Sequence, residues 1–247
     1  MTDALAAAAP PSPARTAPVI AAHALTKSYQ GEDGSVLHIL EGLDLEVARG
    51  EMVAVIGASG AGKSTLLHLL GALDRPTSGE VLLDGLAIAR LSDDELAAVR
   101  NRKVGFVFQF HHLLREFSAV ENVMIPQRIA GVPVPEARRR AEALLDRLGL
   151  GSRLHHRPSQ LSGGEQQRTA VARALATSPA VLLADEPSGN LDQRNGEVLH
   201  DILAELSRDL GMGMVVVTHN QSLAARADRV LLLADGRVVE TSAGEGE

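Results

Sequence analysis

A glycine-rich loop between a short apolar strand and a helix constrains this chain more than any other feature. The pattern G-x-x-x-x-G-K-[ST] is matched by Gly57-Ala58-Ser59-Gly60-Ala61-Gly62-Lys63-Ser64-Thr65, directly after the strand-like run Met52–Ile56. Glycines let the backbone curl so that its N–H groups point inward, and the helix start adds positive potential. The pattern predicts a phosphate-binding loop in which Lys63 reaches the outer phosphates and Ser64 holds Mg²⁺.

A second strand-like run, Val181–Ala184, ends in the acidic pair Asp185-Glu186. Ligands of parallel α/β sheets lie at the carboxyl ends of the strands, so this pair is expected near the phosphate-binding loop. There Asp185 can bind Mg²⁺, directly or through water. Glu186 can take a proton from an attacking water molecule. A solvated strand end would explain the pair alone, but the combination with the loop favours a nucleotide site.

A second glycine-rich helix start lies at Leu161-Ser162-Gly163-Gly164-Glu165-Gln166-Gln167-Arg168. Ser162 with Glu165 three residues later forms a capping box, which predicts that a helix begins here. An ordinary capped helix does not explain Gly163 and Gly164, because each weakens a helix by about 1 kcal/mol. We interpret this start as a second anion-binding helix terminus, remote in sequence from the first.

Alternating strand and helix patterns predict an α/β fold with a mainly parallel sheet and helices on both faces. The 247 residues suffice for one large α/β domain, or for one domain with a smaller lobe. Residues 90–175 are mostly helical in pattern and are predicted to be an inserted subdomain. The core then comprises residues 19–89 and 176–247, and the Ala- and Pro-rich residues 1–18 are expected to be a disordered tail.

Composition excludes several classes of protein. The net charge of −7 argues against nucleic acid as the main partner, because phosphate backbones are bound by basic surfaces. The chain has no Cys, so disulfides and thiolate metal sites are excluded. No apolar run approaches the ~20 residues of a membrane-spanning helix. We therefore expect that any link to a membrane is made through a partner.

Taken together, these motifs resemble the ATP-binding subunits of ABC transporters, over about residues 19–240. Leu161–Arg168 is similar to the family's signature motif, and the phosphate-binding loop and the acidic pair stand in the family's order. The resemblance implies the P-loop ATPase fold of that family, with an N-terminal antiparallel β-subdomain and an inserted helical subdomain. Further positions that match the family's functional residues are Tyr29, Gln109, Ser188-Gly189-Asn190-Leu191-Asp192 and His219.

The resemblance also implies a mechanism and a dimer. ATP and Mg²⁺ would be bound between two copies of the chain, with the phosphate loop of one facing Leu161–Gly164 of the other. Tyr29 would lie against adenine, and Asp192 would lie at the dimer contact. Glu186 would polarise water, while His219 would contact the γ-phosphate. Gln109 would help to hold the metal and link it to the helical subdomain.

All four Phe residues lie between Phe106 and Phe117 and surround Gln109. Aromatic side chains are enriched in interface cores, so this cluster is predicted to contact another subunit. The resemblance implies that membrane-embedded transporter subunits dock near Phe110–Phe117. Packing within the chain's own core is the alternative, and it is expected for Phe106 and Phe108. The chain would then lie at the cytoplasmic face of the inner membrane.

The run Gln109-Phe110-His111-His112-Leu113-Leu114 is similar to the ATPase subunits of bacterial lipoprotein-releasing exporters. Macrolide-exporter ATPases and cell-division regulatory ATPases share much of this pattern and stay open as alternatives. A DNA-repair or translation ATPase of the same superfamily is disfavoured, because a long coiled coil and a second cassette are absent.

Overall fold

The computed structural model describes residues 17–31 and 34–241. The tail expected at residues 1–18 falls almost entirely outside this part of the chain. Ten strands and seven α-helices are found in the described residues: β1 Ile20–Gln30, β2 Val36–Val47, β3 Met52–Ile56, α1 Lys63–Leu70, β4 Ser78–Leu83, β5 Leu86–Ala87, α2 Asp93–Lys103, β6 Val104–Phe108, α3 Ala119–Ile129, α4 Val134–Arg147, α5 Gly163–Leu175, β7 Val181–Asp185, α6 Gln193–Leu210, β8 Gly213–Val217, α7 Gln221–Ala224, β9 Arg229–Ala234 and β10 Arg237–Thr241.

The larger sheet has the strand order β10-β9-β3-β8-β7-β6. Strands β9, β3, β8, β7 and β6 run parallel, and β10 pairs antiparallel with β9 at one edge. The inner strands are almost uninterrupted apolar runs because helices cover both faces of the sheet. The mainly parallel core sheet expected from the sequence is confirmed.

The smaller sheet is antiparallel and has the order β2-β1-β4-β5. The sequence pattern predicts separate strands at Val36–Leu40 and Leu43–Val47, and this is wrong: β2 is one continuous strand. Its pairing with β1 shifts register at three places, so the apolar alternation breaks without ending the strand. This sheet carries Tyr29 near the end of β1.

Helices α3, α4 and α5 pack together beside the large sheet and share its core. Ala137, Ala141 and Leu145 are the buried positions of α4, spaced along one helical face. Pro133 is the N-cap residue of α4, and Pro135 lies in the first turn of this helix, which begins at Val134. Proline fits there, since the first turn of a helix leaves its N–H groups unpaired.

No helix in residues 17–31 and 34–241 has both the length and the apolar character that a bilayer crossing requires.

Candidate nucleotide site

The sheet order brings four functional segments to one edge. At the carboxyl ends of neighbouring strands lie the glycine-rich loop after β3, His219 after β8, the acidic pair at β7 and Gln109 after β6. Parallel pairing of these strands places their carboxyl ends side by side. Residues that are up to 162 positions apart therefore meet at one place.

The glycine-rich loop curls as its sequence predicts. Gly57, Gly60 and Gly62 have positive φ angles of 152°, 81° and 98°. A Cβ atom on Gly57 would lie 2.4 Å from the carbonyl oxygen of Leu233, and one on Gly62 would lie 2.7 Å from Ile39 Cγ2. Both positions therefore require glycine, for the backbone angle and for space.

Lys63 opens α1 and is held against the loop. Its Nζ donates hydrogen bonds to the carbonyl oxygens of Gly57 and Ala58, both at 2.9 Å. The ammonium group thus lies at the mouth of the curled loop, close to the exposed N-terminal turn of α1. Positive charge and the helix terminus reinforce one another, which suits a polyphosphate.

A cavity of about 300 Å³ joins the loop to the acidic pair. Its walls come from the loop, from the end of β7 and from two apolar residues, and they are Ile39, Ser59, Gly60, Gly62, Lys63, Ser64, Thr65, Asp185, Glu186 and Val217. The cavity combines a cationic end with two carboxylates. This is the arrangement needed for a triphosphate whose hydrolysis requires a base.

Glu186 is held in a strained and well-defined position. Its φ of 45° is in the left-handed region, which a non-glycine residue adopts at a cost. The carboxylate accepts hydrogen bonds from His219 Nδ1 at 2.8 Å, from the Thr218 hydroxyl at 3.2 Å and from the His219 backbone N–H at 3.3 Å. The side chain is nevertheless 18% exposed, so a water molecule can reach it.

Gln109 connects this edge to the loop that follows β7. Its amide Nε2 donates to Asn190 Oδ1 at 3.2 Å, and Asn190 Nδ2 donates to the Gln109 carbonyl at 3.0 Å. Gly189 lies directly beneath this pair, because a Cβ there would be 2.9 Å from Gln109 Nε2. Gln109 is therefore fastened to the segment between the acidic pair and Asp192.

The donor set at this edge fits a hard divalent cation. The Ser64 hydroxyl and the Asp185 carboxylate line the same cavity, and both are oxygen ligands of the kind that Mg²⁺ prefers. Mg²⁺ takes few ligands from protein and the remainder from phosphate and water, so two oxygen donors beside a phosphate-binding loop suffice.

The second glycine-rich helix start forms as its sequence predicts, but it lies away from this cavity. The Ser162 hydroxyl caps α5 by accepting from the Glu165 N–H at 3.3 Å, and Glu165 accepts from the Ser162 N–H at 2.8 Å. This backbone hydrogen bond, followed by the bond from Arg153, lowers the pKa of Glu165 to about 2. Ser162 and Gly163 are exposed, whereas Leu161 and Gly164 are buried.

Leu161–Gly164 contact the segment that contains Asp192 instead. A Cβ on Gly163 would lie 3.8 Å from Leu191, and one on Gly164 would lie 2.7 Å from the Asn195 side chain. Asp192 caps α6 by accepting from the Asn195 N–H at 2.9 Å. Within the described chain, Ser162, Gly163 and Asp192 thus lie on a second exposed surface, separate from the cavity.

Tyr29 lies at the rim of the site. Its hydroxyl donates to Asp74 Oδ2 at 2.9 Å, and Thr65, which lines the cavity, lies beside the phenol. The ring is 43% exposed. Burial and the neighbouring Asp74 carboxylate raise the pKa of Tyr29, so the phenol stays protonated and donates.

The aromatic residues around Gln109 are divided between two environments. Phe106 and Phe108 stack with ring centroids 5.6 Å apart and line an open groove with Leu73, Pro126 and Ile129. The expectation that both rings are internal holds only in part: Phe106 packs against the buried core, but each ring is half-buried, because the groove leaves one side open. Phe110 and Phe117 are 63% and 42% exposed.

Two residues at the site are missed by sequence reasoning. Ile39 lines the cavity from β2, and the Thr218 hydroxyl donates a hydrogen bond to Glu186. Ile39 carries no recognisable signal, because it is one apolar residue in a strand. Thr218 directly precedes His219, which is the signal that could have found it.

Comparisons with known proteins agree with this geometry. A family model described as ABC transporter matches residues 40–189. The chain is 55% identical over 208 residues to the lipoprotein-releasing system ATP-binding protein LolD of Syntrophus aciditrophicus, covering 84% of this chain and 93% of that protein. It is 52% identical over 233 residues to the LolD protein of Xylella fastidiosa, covering 94% and 96%.

A solved structure is similar over nearly the same range. It is a dimeric ATP-binding cassette in a post-hydrolysis state, bound to ADP and Pi, with a TM-score of 0.81 and 39% sequence identity. The alignment covers 91% of this chain and 98% of that one.

Proposed function

We propose that the chain powers the release of lipoproteins from the bacterial inner membrane. The premise is that the chain belongs to the ABC transporter family and is one of its ATP-hydrolysing subunits. Two relatives at 55% and 52% identity carry the name of the lipoprotein-releasing system. They support this assignment over the macrolide-exporter and cell-division alternatives. The chain would then bind peripherally, at the cytoplasmic face of that membrane.

ATP hydrolysis follows from the chemistry of the cavity. The curled loop and Lys63 hold the β- and γ-phosphates, and Tyr29 takes the adenine base. Glu186 orients the attacking water and accepts its proton, while His219 keeps the carboxylate in place and faces the γ-phosphate. Ser64, Asp185 and Gln109 would hold Mg²⁺, which would supply charge neutralisation for the phosphates.

A second copy of the chain would complete each site. Ser162 and Gly163 are exposed at a capped helix N-terminus, but the cavity that contains Lys63 and Glu186 has no contribution from them. Such a terminus stabilises an anion. We infer that two chains pair head to tail, so that Leu161–Gly164 of one close over the γ-phosphate held by the other. Asp192 would lie in this contact, and the dimeric relative supports the pairing.

Transmembrane subunits would dock beside Phe110–Phe117. Exposed aromatic side chains at the edge of a protein are typical of interface cores. The groove lined by Phe106, Phe108 and Ile129 lies beside this segment, because Phe108 contacts His112 edge to face with ring centroids 5.7 Å apart, and Ile129 is 71% exposed. Because Gln109 immediately precedes Phe110, a partner bound here would act directly on the edge that holds the nucleotide.

The observation that carries this proposal is the joining of Lys63, Asp185 and Glu186 in one cavity, in a chain whose relatives are lipoprotein-releasing ATPases. The test begins with the membrane subunits that co-purify with the chain in detergent. They are reconstituted with it into proteoliposomes that contain a fluorescent lipoprotein. ATP should release the lipoprotein, and Glu186→Gln should prevent release.

Retention of the lipoprotein together with export of a small amphiphile would instead favour the macrolide-exporter alternative. Stimulated ATPase activity with nothing transported would favour a regulatory role. Absence of ATP hydrolysis in the complete assembly would contradict the enzymatic assignment itself.

A further inference from the structure

Tyr29 is one member of a three-residue cluster that no sequence motif indicates. Lys27 Nζ lies 2.8 Å from Asp74 Oδ2, and the Tyr29 hydroxyl donates to the same oxygen at 2.9 Å. Lys27 also donates to the Arg75 carbonyl at 2.8 Å. Two residues of β1 are thereby joined to a loop more than 40 positions away in the sequence.

Lys27 covers one face of the tyrosine ring. Its Nζ lies 4.7 Å from the ring centroid, which is within the range of a cation–π contact. Lys27 is only 8% exposed, whereas Tyr29 is 43% exposed. A base that stacks on Tyr29 is therefore confined to the face opposite Lys27.

Asp74 fixes the plane of the ring relative to the phosphate-binding loop. Its second oxygen accepts from the Arg75 N–H at 2.7 Å, so both carboxylate oxygens are engaged. The preceding Leu73 N–H donates to the His68 carbonyl in α1 at 2.8 Å. The tyrosine hydroxyl is thus tied to the loop that leaves α1, the helix whose first residue is Lys63.

The protonation states support this geometry. Burial acts to raise the Asp74 pKa, but hydrogen bonds from Lys27, Tyr29 and the Arg75 backbone outweigh it, and the pKa lies below its ordinary value. Asp74 therefore stays ionised between the ammonium group and the phenol.

We propose that Lys27 and Asp74 are positioning residues for nucleotide binding, which hold the Tyr29 ring so that its open face stacks on adenine. This inference rests on the proposed binding of ATP and names the residues that prepare the base subsite. Neither residue touches the nucleotide, and both act through the ring. A stacking surface held in place loses less freedom on binding, which increases affinity.

The chain contains one Tyr and no Trp, so its tyrosine emission comes from Tyr29 alone. We would titrate the full-length chain with ADP and, separately, with inorganic pyrophosphate, which has no base. Calorimetry would give the affinities, and tyrosine emission would report stacking. ADP should change the emission, and pyrophosphate should leave it unchanged.

Lys27→Met and Asp74→Asn should each weaken ADP binding about three- to tenfold, the range of a lost cation–π contact or hydrogen bond. Pyrophosphate affinity should not change. Tyr29→Phe removes the hydroxyl but keeps the ring and the Lys27–Asp74 pair, so it tests the tether if Asp74→Asn folds poorly. Lys27→Arg, which keeps the cation, should restore most of the affinity.

Two controls separate positioning from a merely structural role. Asp93→Asn removes an exposed carboxylate that pairs with Arg75 at 2.9 Å, and it should leave ADP affinity unchanged. In a Tyr29→Ala background, Lys27→Met and Asp74→Asn should cause no further loss, because the ring through which they act is absent.

Equal losses in the Tyr29→Ala background, or unchanged ADP affinity in both single variants, would overturn the inference. ADP binding without a change in tyrosine emission would also overturn it and would leave the ATPase assignment intact. If wild-type chain bound neither ADP nor pyrophosphate, the proposed function would fail, and this inference would fail with it.

Discussion

Replacing Glu186 with glutamine should separate ATP binding from ATP hydrolysis. Lys63 and the curled loop, which are expected to hold the phosphates, are untouched by this change. Glutamine has nearly the same shape as glutamate but cannot accept the proton of the attacking water. Loss of a general base costs about 10²- to 10⁴-fold in rate, or ~3–5.5 kcal/mol in activation free energy.

The hydrogen bonds of Glu186 determine how much Glu186→Gln lowers the free energy of unfolding. One carboxylate oxygen accepts from His219 Nδ1, and the other accepts from the Thr218 hydroxyl and the His219 N–H. A glutamine amide offers only one acceptor oxygen, so the donors that face the other position lose their acceptor. We expect the free energy of unfolding to fall by about 1 kcal/mol, a single net hydrogen bond. The activity loss is therefore much larger than any loss of fold can explain.

The assay compares single-turnover hydrolysis, ATP affinity and molar mass in solution. Glu186→Gln should bind ATP as wild type does, form a dimer in ATP and hydrolyse it slowly. Glu197→Gln is the matched control, because Glu197 also accepts two side-chain hydrogen bonds, from Ser222 at 2.7 Å and Arg226 at 2.6 Å, away from the cavity. Near-normal turnover in Glu186→Gln would remove Glu186 from the role of base.

Three further predictions concern the two glycine-rich helix starts. Ser162→Arg and Lys63→Ala should each abolish hydrolysis alone, but mixing the two variants should restore part of it, since one of the two composite sites is then intact. No recovery in a verified mixed dimer would place Ser162 in its own chain's site. Gly57→Ala should abolish ADP binding, because its Cβ would lie 2.4 Å from the Leu233 carbonyl oxygen, and calorimetry showing wild-type affinity would contradict the strain argument. Glu165→Ala should lower the free energy of unfolding by about 1 kcal/mol at neutral pH, measured in urea. The pKa of Glu165 falls to about 2, so its stabilisation is present above 4.5 and is lost as pH falls from 4.5 to 2. If the difference in the free energy of unfolding between Glu165→Ala and wild type increased as the pH fell, the argument would be refuted.

Local rules predict the motifs well because each is written in a few adjacent residues. The glycine-rich loop requires positive φ angles, and the sequence places Gly57, Gly60 and Gly62 at those positions. The capping box at Ser162 specifies a helix start by itself, and α5 begins at the next residue. Buried parallel strands are similarly evident from short apolar runs.

Predictions fail where distant contacts override the local pattern. Strand β2 continues through a break in apolar alternation because β1 pairs along its whole length. Strand β10 has no strong signal of its own, and it forms by pairing with the buried strand β9. The boundaries predicted for the helical subdomain stay a prediction, as do the roles assigned to the individual site residues.

The segment after β6 shows why the links between motifs are invisible in sequence. Gln109 bonds to Asn190, His111 Nε2 lies 3.2 Å from the Gly163 carbonyl, and Arg173 donates to the His112 carbonyl at 2.6 Å. The partners are 81, 52 and 61 positions away, and each bond is one that ordinary loop residues could make. Only the adjacency of β6 and β7 and the packing of α5 on β6 bring them together. This segment contacts both the loop after the acidic pair and helix α5, which begins at Gly163. A displacement of the segment would therefore strain its contacts with both.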